Sequence, residues 1–283
     1  MDQSSDLELA RHYAASGSNE AFEALVERHL GMVRATARRQ LANTHQAEEV
    51  CHAVFLALAR KAGALPDGTN VAGWLFRATR FAAAKLARDE ERRGRREREA
   101  GTTHAESLTP GDHDLLWEQL TPFLNEALDS LAAKDREALL LRYFQNRPFA
   151  EVGLNLGASE AAAKMRVARA LEKLRDFFRR RGVVAGAAAI GGALSARAAE
   201  AAPGGLAMAV AASATGPEVP AGAGAQLAEF ILRQMAWVRL RRWLIMLAVL
   251  VLLGTAVGVA GYLTHWFGLA ASAPTAPAPW PGQ

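Results

Sequence analysis

Cysteine is nearly absent from this sequence of 283 residues, which contains only Cys51. A single cysteine excludes an intramolecular disulfide framework and a cysteine-based metal site, and it fits a reducing cytosol. The sequence also lacks a phosphate-binding loop and a plausible pair of nucleophile and base. We therefore predict neither an enzyme nor a bound cofactor.

One pattern suggests a metal site, but the residues that would complete it are missing. Glu49 and His52 form an ExxH pair of the type found in di-iron helical bundles. Such a site needs a second ExxH pair and two more carboxylates on facing helices. The sequence provides neither, so no metal site is predicted.

An apolar leader is absent from the start of the sequence as well. Residues 1–10 contain three acidic residues and no apolar run. No secretory signal is therefore predicted, and we expect the N-terminal part to stay in the cytoplasm.

Charge is absent between Trp243 and Leu263, a segment as long as the roughly 20 apolar residues that cross a bilayer. Four arginines lie between residues 233 and 242, and no Lys, Arg, Asp or Glu follows Arg242. By the positive-inside rule, this asymmetry places the N-terminal side in the cytoplasm and the tail outside. The sequence predicts one C-terminal transmembrane helix at 243–263; a buried core helix is the other interpretation.

Apolar residues make up 51% of the chain, which is enough for one sizeable core or two smaller ones. The net charge of +4 and the pI near 9.6 are only mildly basic. The basic residues, however, cluster in three blocks, at Arg77–Arg98, Lys164–Arg181 and Arg233–Arg242. Such clustering indicates a polyanionic partner more strongly than the total charge does.

The clearest motif lies between residues 148 and 181. Its pattern predicts a short helix, a tight turn at Gly157 and a longer helix that Ser159 can cap. Together these elements form a helix-turn-helix.

The longer helix of this motif has an apolar stripe beside a basic flank. The stripe, which is expected to face a core, consists of Ala163, Val167, Ala170 and Leu174. The flank consists of Arg166, Arg169 and Lys173. Such a helix fits the major groove of DNA, where arginine can bond guanine edges and any cation can bond phosphate. A solvated surface helix is the other interpretation.

Helical patterns also run through the N-terminal part, over 6–41, 43–61 and 72–98, with a turn-rich loop at Leu65–Val71. The last of these helices interleaves aromatic residues with cations. Aromatic side chains beside arginine suit stacking on unpaired bases while the cations hold the phosphates. A core helix with a charged end is the ordinary alternative.

These helical patterns therefore predict an all-α protein with two small helical domains and one transmembrane helix. The helical domains lie at 1–98 and 117–182, joined by a polar linker at 99–116. An Ala- and Gly-rich C-terminal extension with a basic end covers 183–242, and its first part fits a tether, a weak helix or a surface-associating segment. The transmembrane helix at 243–263 and a Pro-rich tail at 264–283 follow.

Two segments of the chain resemble regions 2 and 4 of bacterial RNA polymerase sigma factors of the extracytoplasmic-function (ECF) group. AEEVCHAVFLALARKA at 47–62 and GWLFRATRFAAAKLARDEERR at 73–93 are similar to region 2. EALDSLAAKDREALLLRYFQNRPFAEVGLNLGASEAAAKMRVARALEKLR at 126–175 is similar to region 4. Two independent motifs in the right order and spacing make the resemblance specific.

The resemblance implies an initiation factor that binds core RNA polymerase, reads the upstream promoter element as duplex and melts the downstream element. The residues implied to read the upstream element are Ser159, Ala161, Lys164, Met165, Arg166, Arg169 and Lys173. The melted downstream element is implied to meet the loop 65–71 and Trp74, Arg77, Arg80, Phe81, Lys85 and Arg88. The surface implied to grip the polymerase consists of Glu48, Glu49, His52 and Phe55.

We therefore predict a sigma factor that is tethered to the bacterial inner membrane through 243–263 and regulated through its C-terminal extension. Its DNA-binding domains are expected in the cytoplasm. The predicted partners are core RNA polymerase, promoter DNA, the membrane, and an anti-sigma factor or another membrane regulator. A membrane-anchored helix-turn-helix transcription regulator is the main alternative, and a structural or sequestering protein is a third hypothesis.

Overall fold

The computed structural model describes residues 5–99, 115–197, 203, 205–216 and 222–271. Within these ranges the chain forms eleven α-helices and no strand, which confirms the predicted all-α class. The helices are α1 (Asp6–Ser16), α2 (Asn19–Arg38), α3 (Thr44–Lys61), α4 (Val71–Glu99), α5 (Leu115–Ser130), α6 (Ala133–Leu139), α7 (Phe149–Leu156), α8 (Glu160–Arg180), α9 (Ala187–Arg197), α10 (Leu206–Thr215) and α11 (Ala223–Ala271). A 3₁₀ turn at Ala62–Ala64 follows α3, and a π-helical turn at Leu140–Phe144 continues α6.

The described residues up to Arg233 form one compact unit, and those from Gln234 onward form a second. The first unit contains two groups of helices, named here the N-terminal module (α1–α4) and the helix-turn-helix module (α5–α8). The described part of the second unit is the remainder of α11, from Gln234 to Ala271. The apolar side chains of this helix from Leu244 to Leu252 are exposed.

The N-terminal module is built around α2, which packs on α1, α3 and α4. Phe22, Leu25 and Val33 are completely buried because their helical spacing places them on the faces toward these neighbours. Local capping determines where the first helices begin. Ser5 and Glu8 form a capping box on α1, and Ser18 caps α2.

The helix-turn-helix forms as the sequence predicts. Gly157 ends α7 with a φ of 64°, a left-handed conformation that favours glycine. The Ser159 hydroxyl then accepts a hydrogen bond from the backbone N–H of Ala162 at 3.2 Å and caps α8. The predicted stripe of α8 is buried, and the helix packs on α5, α6 and α7.

A second glycine allows α7 and the turn to approach each other closely. A Cβ atom on Gly153 would lie 2.7 Å from the carbonyl oxygen of Ala158. No other residue type fits this position without moving the backbone of the turn.

The C-terminal extension forms helices that pack on both modules. Helix α9 packs on α5, α8 and the π-helical turn, whereas α10 packs on α2 and α3. Ile190 and Leu194 of α9 and Val210 of α10 are fully buried. Among the interpretations of this segment, the helical one is therefore confirmed for α9 and α10.

The predicted transmembrane helix at 243–263 is not supported. In the part of the chain that the structure describes, no helix is both long enough and apolar enough to cross a membrane. Most of the predicted linker (99–116) and of the predicted tail (264–283) lies outside the described residues.

Candidate nucleic-acid interface

The first half of α8 presents an outward face beside its buried stripe. Ala161, Lys164, Met165 and Arg169 are exposed there, and Met165 retains 62% of its accessible surface. Ser159 is exposed too, although its hydroxyl serves as the N-cap. Because the buried stripe fixes the rotation of α8 about its axis, these residues face away from the module.

Two other predicted DNA-binding cations of α8 are held by one buried carboxylate. Asp135, in the first turn of α6, accepts from Arg166 Nη1 at 3.0 Å and from Lys173 Nζ at 2.6 Å. These ion pairs tie α8 to α6 at the edge of the core, since the Asp135 side chain is only 10% exposed. Arg166 and Lys173 therefore have a structural role in addition to any contact with DNA.

Trp74 does not lie on the surface where the resemblance to region 2 implied it. It is 1% exposed and faces the interior together with Leu75 and Phe76, because α4 packs on α2 and α3. A side chain without exposed surface cannot stack on an unpaired base. The prediction for Trp74 is corrected accordingly: in this arrangement it is a core residue.

The other predicted residues of α4 lie nearer the surface, and Arg80 and Lys85 among them contact named groups of the chain. Arg80 Nε donates to Asp129 Oδ2 of α5 at 2.9 Å. Lys85 Nζ donates to Asp89 Oδ2 at 2.7 Å and lies 5.7 Å from the ring centroid of Phe230 in α11. Arg77 and Phe81 are half-buried and Arg88 is exposed.

On α3, the predicted polymerase-binding residues divide into accessible and buried ones. Glu48, Glu49 and His52 are half-buried. His52 Nδ1 lies 2.8 Å from the Ser213 hydroxyl of α10. Burial lowers the pKa of His52, and the nearby Glu48 carboxylate acts in the opposite direction.

Phe55 is the buried member of this set. It is completely buried on the inner side of α3, as are Val54 and Leu58. The prediction that Phe55 contacts the polymerase directly is corrected by this burial: the side chain belongs to the core of the N-terminal module.

Polar contacts that join the two modules were not predicted from the sequence. Asn125 of α5 is 3% exposed; its Nδ2 donates to the Thr36 carbonyl at 2.9 Å, and its Oδ1 accepts from Arg39 Nε at 2.8 Å. His29 of α2 is also buried, and its Nδ1 lies 2.8 Å from Gln145 Nε2. The sequence feature that could have predicted the role of Asn125 is its position within the apolar stripe of α5. A buried amide needs hydrogen-bonding partners.

Asp6 extends this network at the start of α1. Its Oδ2 lies 2.9 Å from His29 Nε2, and its Oδ1 accepts from Arg28 Nη1 at 3.1 Å. Burial favours the neutral acid, but the charges and hydrogen bonds of His29 and Arg28 outweigh it. They hold the pKa of Asp6 well below its usual range.

Comparison with known proteins places this geometry in a class of helical transcription factors. The model of Sigma-70 region 2 matches residues 25–93, and that of Sigma-70, region 4 matches residues 127–176. The first match falls in the N-terminal module, and the second covers most of the helix-turn-helix module.

Similar proteins carry the same description. The RNA polymerase sigma factor CarQ of Myxococcus xanthus is 35% identical over 166 residues, which cover 57% of this chain and 91% of that protein. The ECF RNA polymerase sigma factor SigE of Mycolicibacterium smegmatis is 30% identical over 58% of this chain and 65% of its own length. The solved structure of the sigma factor RpoE in complex with the anti-sigma factor NepR from Bartonella quintana is 22% identical, with a TM-score of 0.25, over 52% of this chain and 89% of that chain.

The chain belongs to the RNA polymerase sigma factors of the ECF type. Proteins of this family are transcription initiation factors rather than catalysts. This family assignment confirms the resemblance that the sequence motifs indicated.

Proposed function

We propose that this sigma factor binds core RNA polymerase and directs promoter recognition, melting and transcription initiation. The helix-turn-helix module reads the upstream promoter element as duplex DNA. The N-terminal module binds the polymerase through α3 and receives the melted downstream element on α4 and on the loop 65–71. The C-terminal extension regulates these steps.

The observation that carries the proposal is the outward face of α8. Arg169 can donate two hydrogen bonds to a guanine edge, and Met165 can contact the methyl group of a thymine. Lys164 suits a phosphate of the same groove. The opposite side of α8 is fixed in the core, so the module can hold these three side chains in a constant register against the duplex.

On α4, Phe81 is better placed than Trp74 to stack on an unpaired base, because Phe81 keeps part of its surface exposed. The cations that would hold the phosphates of the melted strand are Arg77, Arg80, Lys85 and Arg88. An aromatic platform flanked by cations binds single-stranded nucleic acid by stacking on the bases and by pairing with the phosphates.

Run-off transcription with saturating core polymerase tests this function. Arg169→Ala in the full chain is expected to lower the promoter-specific transcript about 5- to 150-fold, because a good arginine–guanine pair contributes about 1–3 kcal/mol. Arg179→Ala, which removes an exposed arginine near the end of the same helix, is the matched control and should leave the transcript unchanged.

The alternative function is that of a helix-turn-helix regulator that acts without polymerase. That hypothesis predicts duplex binding by the chain alone and no polymerase-dependent transcript. It leaves the match of residues 25–93 to region 2 without a role, so we do not favour it.

A further inference from the structure

Helix α10 covers part of the α3 surface that we propose binds the polymerase. Its side chains Val210, Ala211 and Ala214 are buried, and the helix packs on α2 and α3. The Ser213 hydroxyl lies within hydrogen-bond distance of both the Val210 carbonyl oxygen, at 3.0 Å, and His52 Nδ1 of α3, at 2.8 Å. A partner cannot use this part of α3 while α10 occupies it.

Helix α9 attaches the same part of the chain to the helix-turn-helix module. Ile190 and Leu194 are fully buried where α9 packs on α5, α8 and the π-helical turn. Gly191 brings the backbone of α9 against Tyr143, since a Cβ atom at this position would lie 3.0 Å from the Tyr143 hydroxyl. Gly192, the next residue, has open space at its Cβ position.

The first turns of α11 add a third attachment. Leu227, Ala228 and Ile231 are buried, and the Phe230 ring lies beside the Lys85 ammonium group of α4. Lys85 is one of the cations proposed to hold the melted strand. We name α9, α10 and α11 up to Arg233 the strap, because its α9 packs on one module and its α10 on the other.

Resting on the proposed function, we propose that the strap is a built-in inhibitor that competes with core polymerase for α3 and holds the two modules together. In the closed state the modules contact each other directly through the Arg80–Asp129 ion pair and the bonds of Asn125. Polymerase binding requires α10 to leave α3, and once the strap no longer holds the modules together, Arg80 of α4 can separate from Asp129 of α5. The strap thus sets the fraction of molecules that can bind polymerase.

Full-length variants that detach α10 test the inhibitor. Val210→Asp places a charge in the buried contact with α2 and α3, where it cannot be solvated while α10 is docked. Met208→Asp adds the same charge to the same helix at a residue that is 72% exposed, and serves as the matched control. If about 1–10% of wild-type molecules are open, Val210→Asp should bind core polymerase about 10- to 100-fold more tightly, and Met208→Asp should bind like the wild type.

A second pair of variants tests the contact of α9. It introduces no charge, so its outcome does not depend on how α10 responds to a buried aspartate. Gly191→Leu forces a side chain against Tyr143, whereas Gly192→Leu places the same side chain in open space. Both substitutions raise helix propensity equally, so a difference between them reports the contact. Gly191→Leu should likewise strengthen polymerase binding, and Gly192→Leu should not.

Amide hydrogen exchange of α9 and α10 in the same variants separates the outcomes. Faster exchange in the detached helix together with tighter polymerase binding supports the inhibitor. Faster exchange with unchanged affinity for core polymerase overturns the inhibitor but leaves the proposed sigma function intact. Unchanged exchange in both Val210→Asp and Gly191→Leu has the same meaning. Failure of every form to bind core polymerase at any concentration overturns the proposed function, and the inhibitor with it.

Discussion

Asp6 shows how a single buried carboxylate contributes to stability in a pH-dependent way. Its pKa in the folded chain lies below the value near 4 of an unfolded aspartate, because His29 and Arg28 favour its ionised form. The resulting stabilisation is fully present above about pH 4 and is lost as the pH falls through the folded-state pKa. Asp6→Asn is expected to lower the free energy of unfolding at pH 7 by about 1–3 kcal/mol, measured by urea denaturation.

Asp67→Asn is the control for this prediction. The Asp67 side chain is 93% exposed and pairs with Arg11, and an exposed ion pair contributes only about 0–1 kcal/mol. The difference between the wild type and Asp6→Asn should shrink as the pH is lowered below 4. An equal loss for both variants, or a loss that does not change with pH, would contradict the prediction.

At the scale of elements, local chemistry determined what could be predicted. The turn at Gly157, the cap at Ser159 and the buried stripe of α8 follow from residues within a few positions of each other, and all three are confirmed. The docking of α9 and α10 could not be predicted, because Ala and Gly residues give no clear apolar face. The resemblance to region 2 also led to the prediction that Phe55 and Trp74 lie on the surface. A residue carried over by its position in the sequence carries no information on its burial.

The turn between α7 and α8 gives a prediction about one element. Gly153→Ala would place a Cβ atom 2.7 Å from the Ala158 carbonyl oxygen, so the backbone of the turn must move. We expect a loss of about 1–3 kcal/mol in the free energy of unfolding, and a weaker promoter-specific transcript because α8 shifts against DNA. Urea denaturation and run-off transcription measure the two effects.

Gly157→Ala separates strain from displacement in the same turn. Gly157 has a positive φ but open space at its Cβ position, so alanine there adds backbone strain of about 1–2 kcal/mol without a clash. Stability should fall, while the transcript directed by the folded protein should stay near that of the wild type. Full activity in Gly153→Ala would show that the turn tolerates the displacement.

At the scale of the whole first unit, contacts distant in sequence stabilise one closed arrangement. Asn125 and Arg80 join the two modules directly, and the strap joins them again through α9 and α10. A state held by several separate contacts responds to the loss of any one of them, because each contributes to the same equilibrium between closed and open molecules. Polymerase binding should therefore depend on residues that do not belong to α3.

Asn125→Ala tests this coupling at a residue of α5. It removes the bonds to the Thr36 carbonyl and to Arg39, and buried bonds of this kind contribute about 1–3 kcal/mol to the closed state. The ratio of open to closed molecules should rise about 5- to 150-fold, and core polymerase should bind the full chain more tightly in titrations, up to the affinity of fully open molecules. Asn155→Ala, at an exposed amide of α7, should leave the affinity unchanged. Weaker binding by Asn125→Ala, in a variant that urea denaturation shows to be folded, would mean that the two modules must stay together to bind polymerase.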